Sequence, residues 1–401
     1  MHDLVIVGGG PAGATCARRA AQNGLDVVLI EKEVHPRQKL CGGALTQRVT
    51  DLIDFDIEHA VQTHFCGGRI YSQSGEYIEG SLKSYTGHLV DRTDFDYCLL
   101  QEARRAGAQV VEGVEAVAME QTRSGIRVLT LGDSYKAHLV VGADGVNGVV
   151  ARQTGLRNRW SSDSVALCIA TDVPMDQDEI IRTMSMTDSE SLGIDLHFGI
   201  IDIGYGWCFP KRNKLNIGIG CRMDKAARLR DHWKSFLRRI EKLKGVSLKV
   251  PGRSVSRVPF GGRAGRHVAR RTMLVGDAAG LVSPVTGEGI YYAMRSGLLA
   301  ADVASEAAEL KRPYHLVTYE KRLKESILSE LSIAAGISEI LFKSRDNVEL
   351  VFKIARNDLK MRQYILDFMG GVRSYSQIRR DMIARMLSRH PMKTLRLKLW
   401  L

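Results

Sequence analysis

A glycine-rich segment near the start of the chain, Gly8 to Gly13, lies between two apolar segments of different periodicity. The residues Leu4 to Val7 before it predict a short buried strand, and Pro11 to Asn23 after it predict a helix. A second apolar strand is predicted at Val27 to Ile30. Strand, glycine turn, helix and strand in this order indicate a βαβ unit whose turn faces the pyrophosphate of a dinucleotide.

The three glycines of this GxGxxG pattern have separate tasks. Gly8 allows the tight turn, Gly10 lets backbone amides approach a pyrophosphate, and Gly13 lets the helix pack closely on the strand. The helix N-terminus adds oriented N–H groups and a favourable dipole. Glu31, which ends the second strand, is predicted to accept hydrogen bonds from adenosine ribose hydroxyls, and Lys32 is assigned to the same cofactor site. The alternative is a glycine-rich turn with a structural role only.

Two later segments distinguish FAD from NAD, since both cofactors use such a unit. Asp277 lies in the sequence GDAAG after an apolar strand, where its carboxylate is placed to hydrogen-bond a ribityl hydroxyl. The segment PVTGEG at 284–289 then opens a helix predicted from about Gly287 to Leu310. Its amides are predicted to face the pyrimidine edge of a flavin, where negative charge collects on reduction. The residues assigned to this contact are Gly287, Glu288, Gly289 and Ile290.

The character of the chain changes at about residue 159 and again after Pro313. Alternating strand-like segments fill 159–260, and the clearest is a hairpin at 196–221 with a polar turn at Lys211 to Lys214. We therefore predict an α/β fold with a Rossmann-type FAD-binding domain, an inserted antiparallel β-sheet substrate domain and a helical C-terminal part. The FAD-binding domain is assigned to 1–65, 85–158 and 262–315, the substrate domain to 66–84 and 159–261, and the helical part to 316–401.

Cysteine and histidine usage predicts no metal site. The seven cysteines contain no CxxC pair, which argues against zinc and against a disulfide framework, and none of the eleven histidines falls into a ligand spacing. No stretch approaches the apolar length that a membrane-spanning helix needs. We expect a cytoplasmic protein, and peripheral contact with the inner face of the cell membrane is a further hypothesis.

The end of the chain carries much of the net charge of +12. Within 375–401, Ile378, Met382 and Met386 recur at helical spacing while arginines occupy other positions, which predicts a basic amphipathic helix suited to an anionic membrane surface. The alternative is an ordinary helix packed on its own domain. Nucleic acid is not predicted as a partner, because no aromatic and basic platform accompanies the charge.

Together these segments resemble the para-hydroxybenzoate hydroxylase-like flavoprotein superfamily, which is marked by GxGxxG, the strand end GADG at 142–145, and GDAAG followed by PVTGEG. Three further segments resemble the geranylgeranyl reductase family: PRQKLCGGAL at 36–45, YGWCFP at 205–210 and RVPFGG at 257–262. The similarity extends over residues 1–300. YGWCFP is the most diagnostic segment, since an aromatic–x–Trp–x–Phe–Pro sequence lies beside the lipid cavity in this family.

The resemblance implies catalytic and cofactor-binding roles for two residues. Cys41 matches a cysteine close to the flavin ring, and the nearby cations Arg37 and Lys39 would favour its thiolate. The alternative is that this cysteine only fills space as a small apolar side chain. Arg92 matches an arginine turned toward the cofactor, and the alternative there is a surface charge at a helix start.

The aromatic segment has an implied role in the lipid cavity. Tyr205, Trp207 and Phe209 occupy alternate positions, so in a strand they share one face and form an apolar wall for a polyprenyl chain. The alternative is that they fill the core of a sheet. Tyr205 and Trp207 are assigned to the catalytic site together with Gly289.

The activity that the resemblance implies is FAD-dependent saturation of carbon–carbon double bonds in geranylgeranyl chains on isoprenoid lipids or diphosphates, by hydride transfer from reduced flavin. A reduced nicotinamide cofactor or ferredoxin is the expected electron donor. Two rival enzyme classes are a flavin-dependent monooxygenase or halogenase and a reductase of a quinone isoprenoid side chain. A flavin-binding sensor is the non-enzymatic alternative.

Overall fold

The structure is a computed structural model that describes residues 1–82, 86–187, 191–262 and 265–397. Its first nine strands are β1 His2–Val7, β2 Val27–Glu31, β3 Ala44–Leu45, β4 Val61–Phe65, β5 Gly67–Tyr71, β6 Tyr77–Ser81, β7 Gly87–Val90, β8 Gln109–Glu112 and β9 Ala116–Gln121. The later strands are β10 Ile126–Thr130, β11 Ser134–Gly142, β12 Val165–Pro174, β13 Ile194–Phe198, β14 Gly204–Lys211, β15 Lys214–Arg222, β16 Ser254–Pro259, β17 Val268–Ala269 and β18 Thr272–Leu274.

The α-helices alternate with strands at first and then form the end of the chain. The helices before residue 310 are α1 Pro11–Gln22, α2 Gln47–Thr50, α3 Arg92–Arg105, α4 Val150–Gln153, α5 Gln177–Met184, α6 Leu229–Lys244, α7 Gly276–Ala279 and α8 Ile290–Glu309. The C-terminal helices are α9 Val317–Leu323, α10 Ser329–Leu341, α11 Arg345–Asn357, α12 Leu359–Gly370, α13 Tyr375–Arg389 and α14 Pro391–Leu397.

The largest sheet contains the predicted βαβ unit. Strands β18, β11, β1, β2 and β8 run parallel in that order, and α1 packs against α3 and α8. Because the strands are parallel, Val7, Gly142 and Leu274 end at the same edge of the sheet. This edge brings the glycine turn after β1 next to the GDAAG segment after β18, and the predicted Rossmann-type fold is confirmed.

The second sheet has the strand order β16-β12-β15-β14-β13-β5-β6 and is antiparallel except for the parallel pair β13 and β5. The predicted hairpin is present, since β14 pairs with β15 from Gly204 to Lys211, and Asn213 in its turn has a φ of 56°. Helix α6 covers one face of this sheet, and the other face carries the aromatic side chains of β14. The domain limits stay a prediction, and the limit at 84/85 lies outside the described residues.

Helix α3 begins at Arg92, and Asp91 occupies the cap position. Asp91 does not cap the helix with its side chain. Its carboxylate instead binds Lys211 at 2.8 Å and Lys214 at 2.7 Å, which joins α3 to the β14–β15 hairpin.

The C-terminal helices pack on both sheets. In α13 the side chains of Tyr375, Ile378 and Met386 are buried against α10 and α12, so its apolar side faces the protein and not solvent. The helical spacing of apolar residues in 375–401 is therefore explained by packing of the helix on its own domain, which was the alternative to a membrane surface. None of the helices in the described part of the chain is both long and apolar enough to span a bilayer.

Candidate active site

The turn after β1 is shaped by close contacts of the backbone. Gly8 has a φ of 107°, in the region that favours glycine. A Cβ atom at Gly13 would lie 1.9 Å from the carbonyl oxygen of Gly8, so only glycine lets α1 approach β1 this closely. At Gly10 the nearest atom to a Cβ would be Nη2 of Arg37, at 3.8 Å. Gly8 and Gly13 are therefore required by the fold. Gly10 leaves open space at the helix N-terminus, where a pyrophosphate would fit.

Glu31 lies beneath this turn at the end of β2. Its buried carboxylate accepts hydrogen bonds from the N–H of Gly9 at 2.5 Å and from the N–H of Glu33 at 3.0 Å. These bonds hold the acid at the strand end where a ribose is expected. The side chain of Lys32 is exposed, so its assignment to the cofactor site stays a prediction.

A buried acid that no motif singled out, Asp96, holds two arginines in front of the turn. Its carboxylate accepts hydrogen bonds from Arg92 at 2.6 and 2.8 Å and pairs with Arg37 at 3.1 Å. Burial lowers the pKa of the Arg92 guanidinium, but Asp96 and Cys41 raise this pKa by more, so that Arg92 stays charged. Arg92 is therefore not a surface charge. The spacing of Arg92 and Asp96 by four residues on a helix is the signal that sequence reasoning missed.

Cys41 is half-buried and lies beside Arg92, with which its sulfur interacts. The N–H of Gly43 donates a hydrogen bond to Sγ of Cys41 at 3.4 Å. The expected cations were Arg37 and Lys39, but Arg37 is directed to Asp96. The cation that the fold brings to the thiol is Arg92, because the start of α3 lies against the cysteine loop.

Asp277 lies after β18 beside the glycine turn. Burial raises the pKa of its carboxyl group, and the charges of Lys39 and Arg92 act in the opposite direction. No group among the described residues donates a hydrogen bond to this carboxylate, so it is free to bind a hydroxyl group of a ligand. An open pyrophosphate turn next to an unpartnered carboxylate fits the middle section of FAD.

The three aromatic residues of β14 share one face, as their alternation predicts. The ring centroids of Tyr205 and Trp207 are 6.2 Å apart, and the ring of Phe198 stacks on Tyr205 at 5.3 Å. A Cβ atom at Gly42 would lie 2.7 Å from the ring of Phe209 and 3.5 Å from Nε1 of Trp207. The aromatic row therefore packs directly on the loop that carries the cysteine.

The indole of Trp207 is held by hydrogen bonds within the sheet. Its Nε1–H donates to Oδ1 of Asn216 at 2.8 Å, and Nδ2 of Asn216 donates to Asp172 at 2.7 Å. The ring lies over Gly218, where a Cβ atom would come within 2.0 Å of it. Trp207 and Phe209 are nearly buried, so these side chains also form part of a sheet core, as the alternative interpretation holds.

The segment 284–289 meets the aromatic row at Tyr205. The Tyr205 hydroxyl donates a hydrogen bond to the carbonyl oxygen of Thr286 at 2.7 Å. Gly287 has a φ of 70°, and a Cβ atom there would lie 2.4 Å from that hydroxyl. The predicted residues Cys41, Tyr205 and Gly287 are thus brought to one place from distant parts of the sequence.

Two of the four amides predicted to face a flavin are already hydrogen-bonded. The N–H of Gly287 donates to the carbonyl oxygen of Ser283 at 3.0 Å, and the N–H of Glu288 donates to Oγ1 of Thr286 at 3.2 Å. Because the tight turn uses these two N–H groups internally, the prediction that they are free to face a flavin is corrected. Within the described ranges the N–H groups of Gly289 and Ile290, at the start of α8, have no acceptor and remain available to a ligand.

The side chain of Glu288 belongs to a buried cluster around Arg48. Oγ1 of Thr46 donates a hydrogen bond to Glu288 at 2.6 Å, and Arg48 pairs with Glu288 at 3.5 Å and with Glu330. The Arg48 guanidinium also lies 4.0 Å from the ring centroid of Tyr291. Burial raises the pKa of the Glu288 carboxyl, and Arg48 opposes this shift. No sequence signal indicated this cluster, since Arg48 and Glu330 are 282 residues apart.

Tyr375 connects the C-terminal helices to the same region. Its N–H donates to Oε1 of Glu330 at 3.2 Å, and its hydroxyl lies 3.2 Å from Oγ1 of Thr286. The helical part of the chain therefore supports the segment 284–289 directly. No group of three or more potential metal ligands occurs in the part of the chain that the structure describes.

Residues 1–325 match the family model described as an FAD binding domain. A digeranylgeranylglycerophospholipid reductase from Methanothrix thermoacetophila is 31% identical over 361 residues, which are 86% of this chain and 88% of the relative. The chain belongs to the geranylgeranyl reductase family of FAD-dependent enzymes. It is therefore an FAD-dependent oxidoreductase, and the predicted cofactor and family are confirmed.

Solved structures agree with this membership. A geranylgeranyl bacteriochlorophyll reductase-like protein from Thermoplasma acidophilum has a TM-score of 0.78 and 27% identity, with 88% of this chain and 91% of that chain covered. A flavin-dependent brominase has a TM-score of 0.70 but only 18% identity, with 97% of this chain and 100% of that chain covered. The brominase therefore shares the fold alone, and the reductase family shares both fold and sequence.

Proposed function

We propose that this member of the reductase family saturates carbon–carbon double bonds in the geranylgeranyl chains of a glycerophospholipid. The observation that carries the proposal is the packing of the aromatic row of β14 on the cysteine loop, beside the open glycine turn. Apolar rings line one side of the site and offer contacts to a prenyl chain. The names of the reductase relatives support the same substrate class.

Residues of this chain would hold FAD at its middle section and at its flavin ring. The open space at Gly10 and the N-terminus of α1 would take the pyrophosphate, and Asp277 would accept a hydrogen bond from a ribityl hydroxyl. The free amides of Gly289 and Ile290 would bind the pyrimidine edge. When bound, FAD supplies the hydride that adds to one carbon of the double bond.

The second carbon of the double bond needs a proton, and Cys41 is the proposed donor. In this step the Sγ–H bond of Cys41, which lies at the edge of the aromatic row, would give its proton to the carbon, and the adjacent Arg92 would stabilise the thiolate that remains. Tyr205 is a weaker candidate, because burial raises the pKa of its phenol and its hydroxyl already donates to Thr286. Solvent then returns the proton to Cys41.

Aromatic side chains position the alkene and keep water from it. Trp207 and Phe209 are nearly buried, and the indole of Trp207 is fixed by its hydrogen bond to Asn216. An unactivated alkene is a poor hydride acceptor, so a fixed approach to the cofactor must supply much of the rate. The proposed electron donor is a reduced nicotinamide cofactor or ferredoxin. Flavin absorbance measured after mixing the enzyme with each donor would show which of them reduces the flavin.

The test uses chemically reduced holoenzyme mixed anaerobically with digeranylgeranylglycerophospholipid. We expect reoxidation of the flavin and products heavier by multiples of two hydrogens in mass spectra. Cys41→Ala should slow reoxidation by about tenfold or more, equivalent to about 1.4 kcal/mol of barrier, with normal FAD content. Cys66→Ala is the matched control, since Cys66 is also half-buried, and it should behave like the parent enzyme.

Three outcomes would contradict parts of this proposal. A strict requirement for oxygen, with hydroxylated or halogenated product, would assign the protein to the monooxygenase or halogenase class. Faster reduction of a quinone isoprenoid side chain than of the phospholipid would change the substrate. Unchanged reoxidation in Cys41→Ala would remove the thiol as proton donor and leave the reductase activity standing.

A further inference from the structure

A groove of about 490 Å³ lies between the connection from β13 to β14 and the turn from α10 to α11. Its walls are residues 199–203 on the sheet side and 338–348 on the helical side, and residues 222 and 225 close one end. Apolar side chains line its inner part: Ile201, Ile203, Phe342 and Val348. None of the described residues assigned to the cofactor site lines this groove, so the cofactor gives it no role.

The inner end of the groove is connected to the active site by stacked aromatic rings. The ring of Phe342 stacks on Phe198 at a centroid distance of 6.1 Å, and Phe198 stacks on Tyr205 at 5.3 Å. Oγ of Ser338, which lines the groove, donates a hydrogen bond to the carbonyl oxygen of Pro284 at 3.4 Å. The groove is therefore one layer of side chains away from the segment 284–289.

The rim of the groove carries more cations than acids. Its lining includes the basic side chains Arg222, Lys225, Lys343 and Arg345 and the acidic side chains Asp202 and Glu339. Arg345 pairs with Asp202 across the mouth at 3.1 Å, and Arg222 pairs with Asp224 at 2.7 Å. Lys343 is exposed at this rim, and Lys225 is exposed there with its ammonium group 3.9 Å from Asp224. An apolar interior below a positively charged rim suits a ligand with an apolar chain and an anionic head.

We propose that the groove admits the prenyl chain of the substrate and that its rim binds the phosphate of the head group. This inference rests on the proposed function and adds the path of the substrate and the charge of its head. The chain would lie along Phe342 and Phe198 towards Tyr205, where burial of its methylenes is favourable. Lys225 and Lys343 would neutralise the phosphate, which stays in contact with solvent.

The path is tested by filling the groove. Ser338→Trp places an indole inside it, and Ser329→Trp is the matched control on the same helix, because Ser329 is exposed and does not line the groove. Isothermal titration of oxidised holoenzyme measures the Kd of geranylgeranyl diphosphate and of geranylgeraniol, which has the same chain without phosphates. We expect Ser338→Trp to raise both Kd values by about tenfold or more and Ser329→Trp to leave both unchanged.

The rim is tested by charge reversal. The double variant Lys225→Glu with Lys343→Glu should raise the Kd of geranylgeranyl diphosphate by about fivefold or more and leave that of geranylgeraniol unchanged. Added salt should weaken the binding of the diphosphate to the parent enzyme and have little effect on the alcohol. Lys321→Glu with Lys324→Glu is the control, since both of these lysines are exposed away from the groove.

Binding and turnover separate this inference from the proposed function. If the parent reduces the double bonds but Ser338→Trp binds both probes like Ser329→Trp, the groove is not the path. If binding depends on the groove but no double bond is reduced, the reductase proposal fails and the groove remains. A parent that binds neither probe overturns the groove proposal, whereas the reductase proposal is decided by turnover of the phospholipid. Should Ser338→Trp fail to fold, Lys343→Trp at the exposed mouth provides a second block, which should raise both Kd values and that of the diphosphate more, because a rim cation is lost as well.

Discussion

Glycines of the same motif differ in what they do for this protein. A side chain at Gly13 would collide with the backbone of Gly8, whereas a side chain at Gly10 would extend into open space. Gly10 also has a φ of −72°, which any residue adopts. The two positions therefore separate the stability of the fold from the binding of the cofactor, although the GxGxxG pattern treats them alike.

This difference predicts opposite phenotypes for two substitutions. Gly10→Val should leave the thermal midpoint of the flavin-free protein nearly unchanged but yield protein without FAD, because the valine occupies the space for the pyrophosphate. Gly13→Ala should lower the free energy of unfolding by about 1–3 kcal/mol, since overpacking forces α1 away from β1. Flavin absorbance of purified protein and thermal unfolding of the flavin-free forms measure the two effects.

Gly24→Ala is not a suitable control for these variants because Gly24 has a φ of 86°. Gly132→Ala is suitable, since a Cβ atom there meets nothing within 4 Å and no positive φ is required. It should change neither flavin content nor stability. Full flavin content in Gly10→Val would show that the pyrophosphate does not approach this glycine.

Helix α13 has its apolar side on the protein and a basic side towards solvent. Arg379, Arg380 and Arg389 are exposed, and Arg385 is held by Asp358 at 2.9 Å. Any contact with a membrane would therefore depend on charge and not on insertion of the apolar side. A truncation before residue 375 would also remove Tyr375 from its buried contacts, so substitutions are the better test.

Binding to liposomes should rise with anionic lipid content and fall with added salt. Each basic residue near a charged surface contributes about 1 kcal/mol, so Arg379→Glu with Arg380→Glu should weaken binding by about tenfold or more. The control is Arg123→Glu with Lys136→Glu, two exposed cations of the FAD-binding region. Cosedimentation measures the bound fraction, and equal binding to neutral vesicles would exclude this contact.

The cluster around Arg48 connects three segments that are distant in the sequence. Arg48 follows the cysteine loop, Glu288 lies before α8, and Glu330 belongs to the C-terminal helices. One guanidinium therefore neutralises carboxylates from two distant parts of the chain. The segment 284–289 is positioned by these contacts as well as by its own turn.

Arg48→Met should lower the free energy of unfolding by about 3 kcal/mol, because it leaves two largely buried carboxylates without their cation. Adding Glu288→Gln and Glu330→Gln should recover part of that loss, since neutral amides are less costly to bury. Chemical denaturation of the three proteins measures this recovery. An equal loss in the single and triple variants would show that packing, and not charge, accounts for the effect.

Much of the fold was determined by sequence patterns that act over short distances. The βαβ unit, the hairpin of β14 and β15 and the alternation of Tyr205, Trp207 and Phe209 each follow from the period of a few neighbouring residues. The cofactor was predictable for the same reason, since GxGxxG and GDAAG are local arrangements of backbone. The family resemblance added the substrate class, which no short pattern specifies.

Contacts between distant segments were decided only by the tertiary structure. The charge beside Cys41 comes from Arg92 on α3, and the cation that pairs with Glu288 is Arg48 on α2, because parallel strands and packed helices bring remote residues together. Likewise, the amides of Gly287 and Glu288 were expected to be free, but the tight turn uses them internally. Local periodicity determines which face of an element is apolar, whereas the position of one element against another determines which charges, openings and free donors meet at the site.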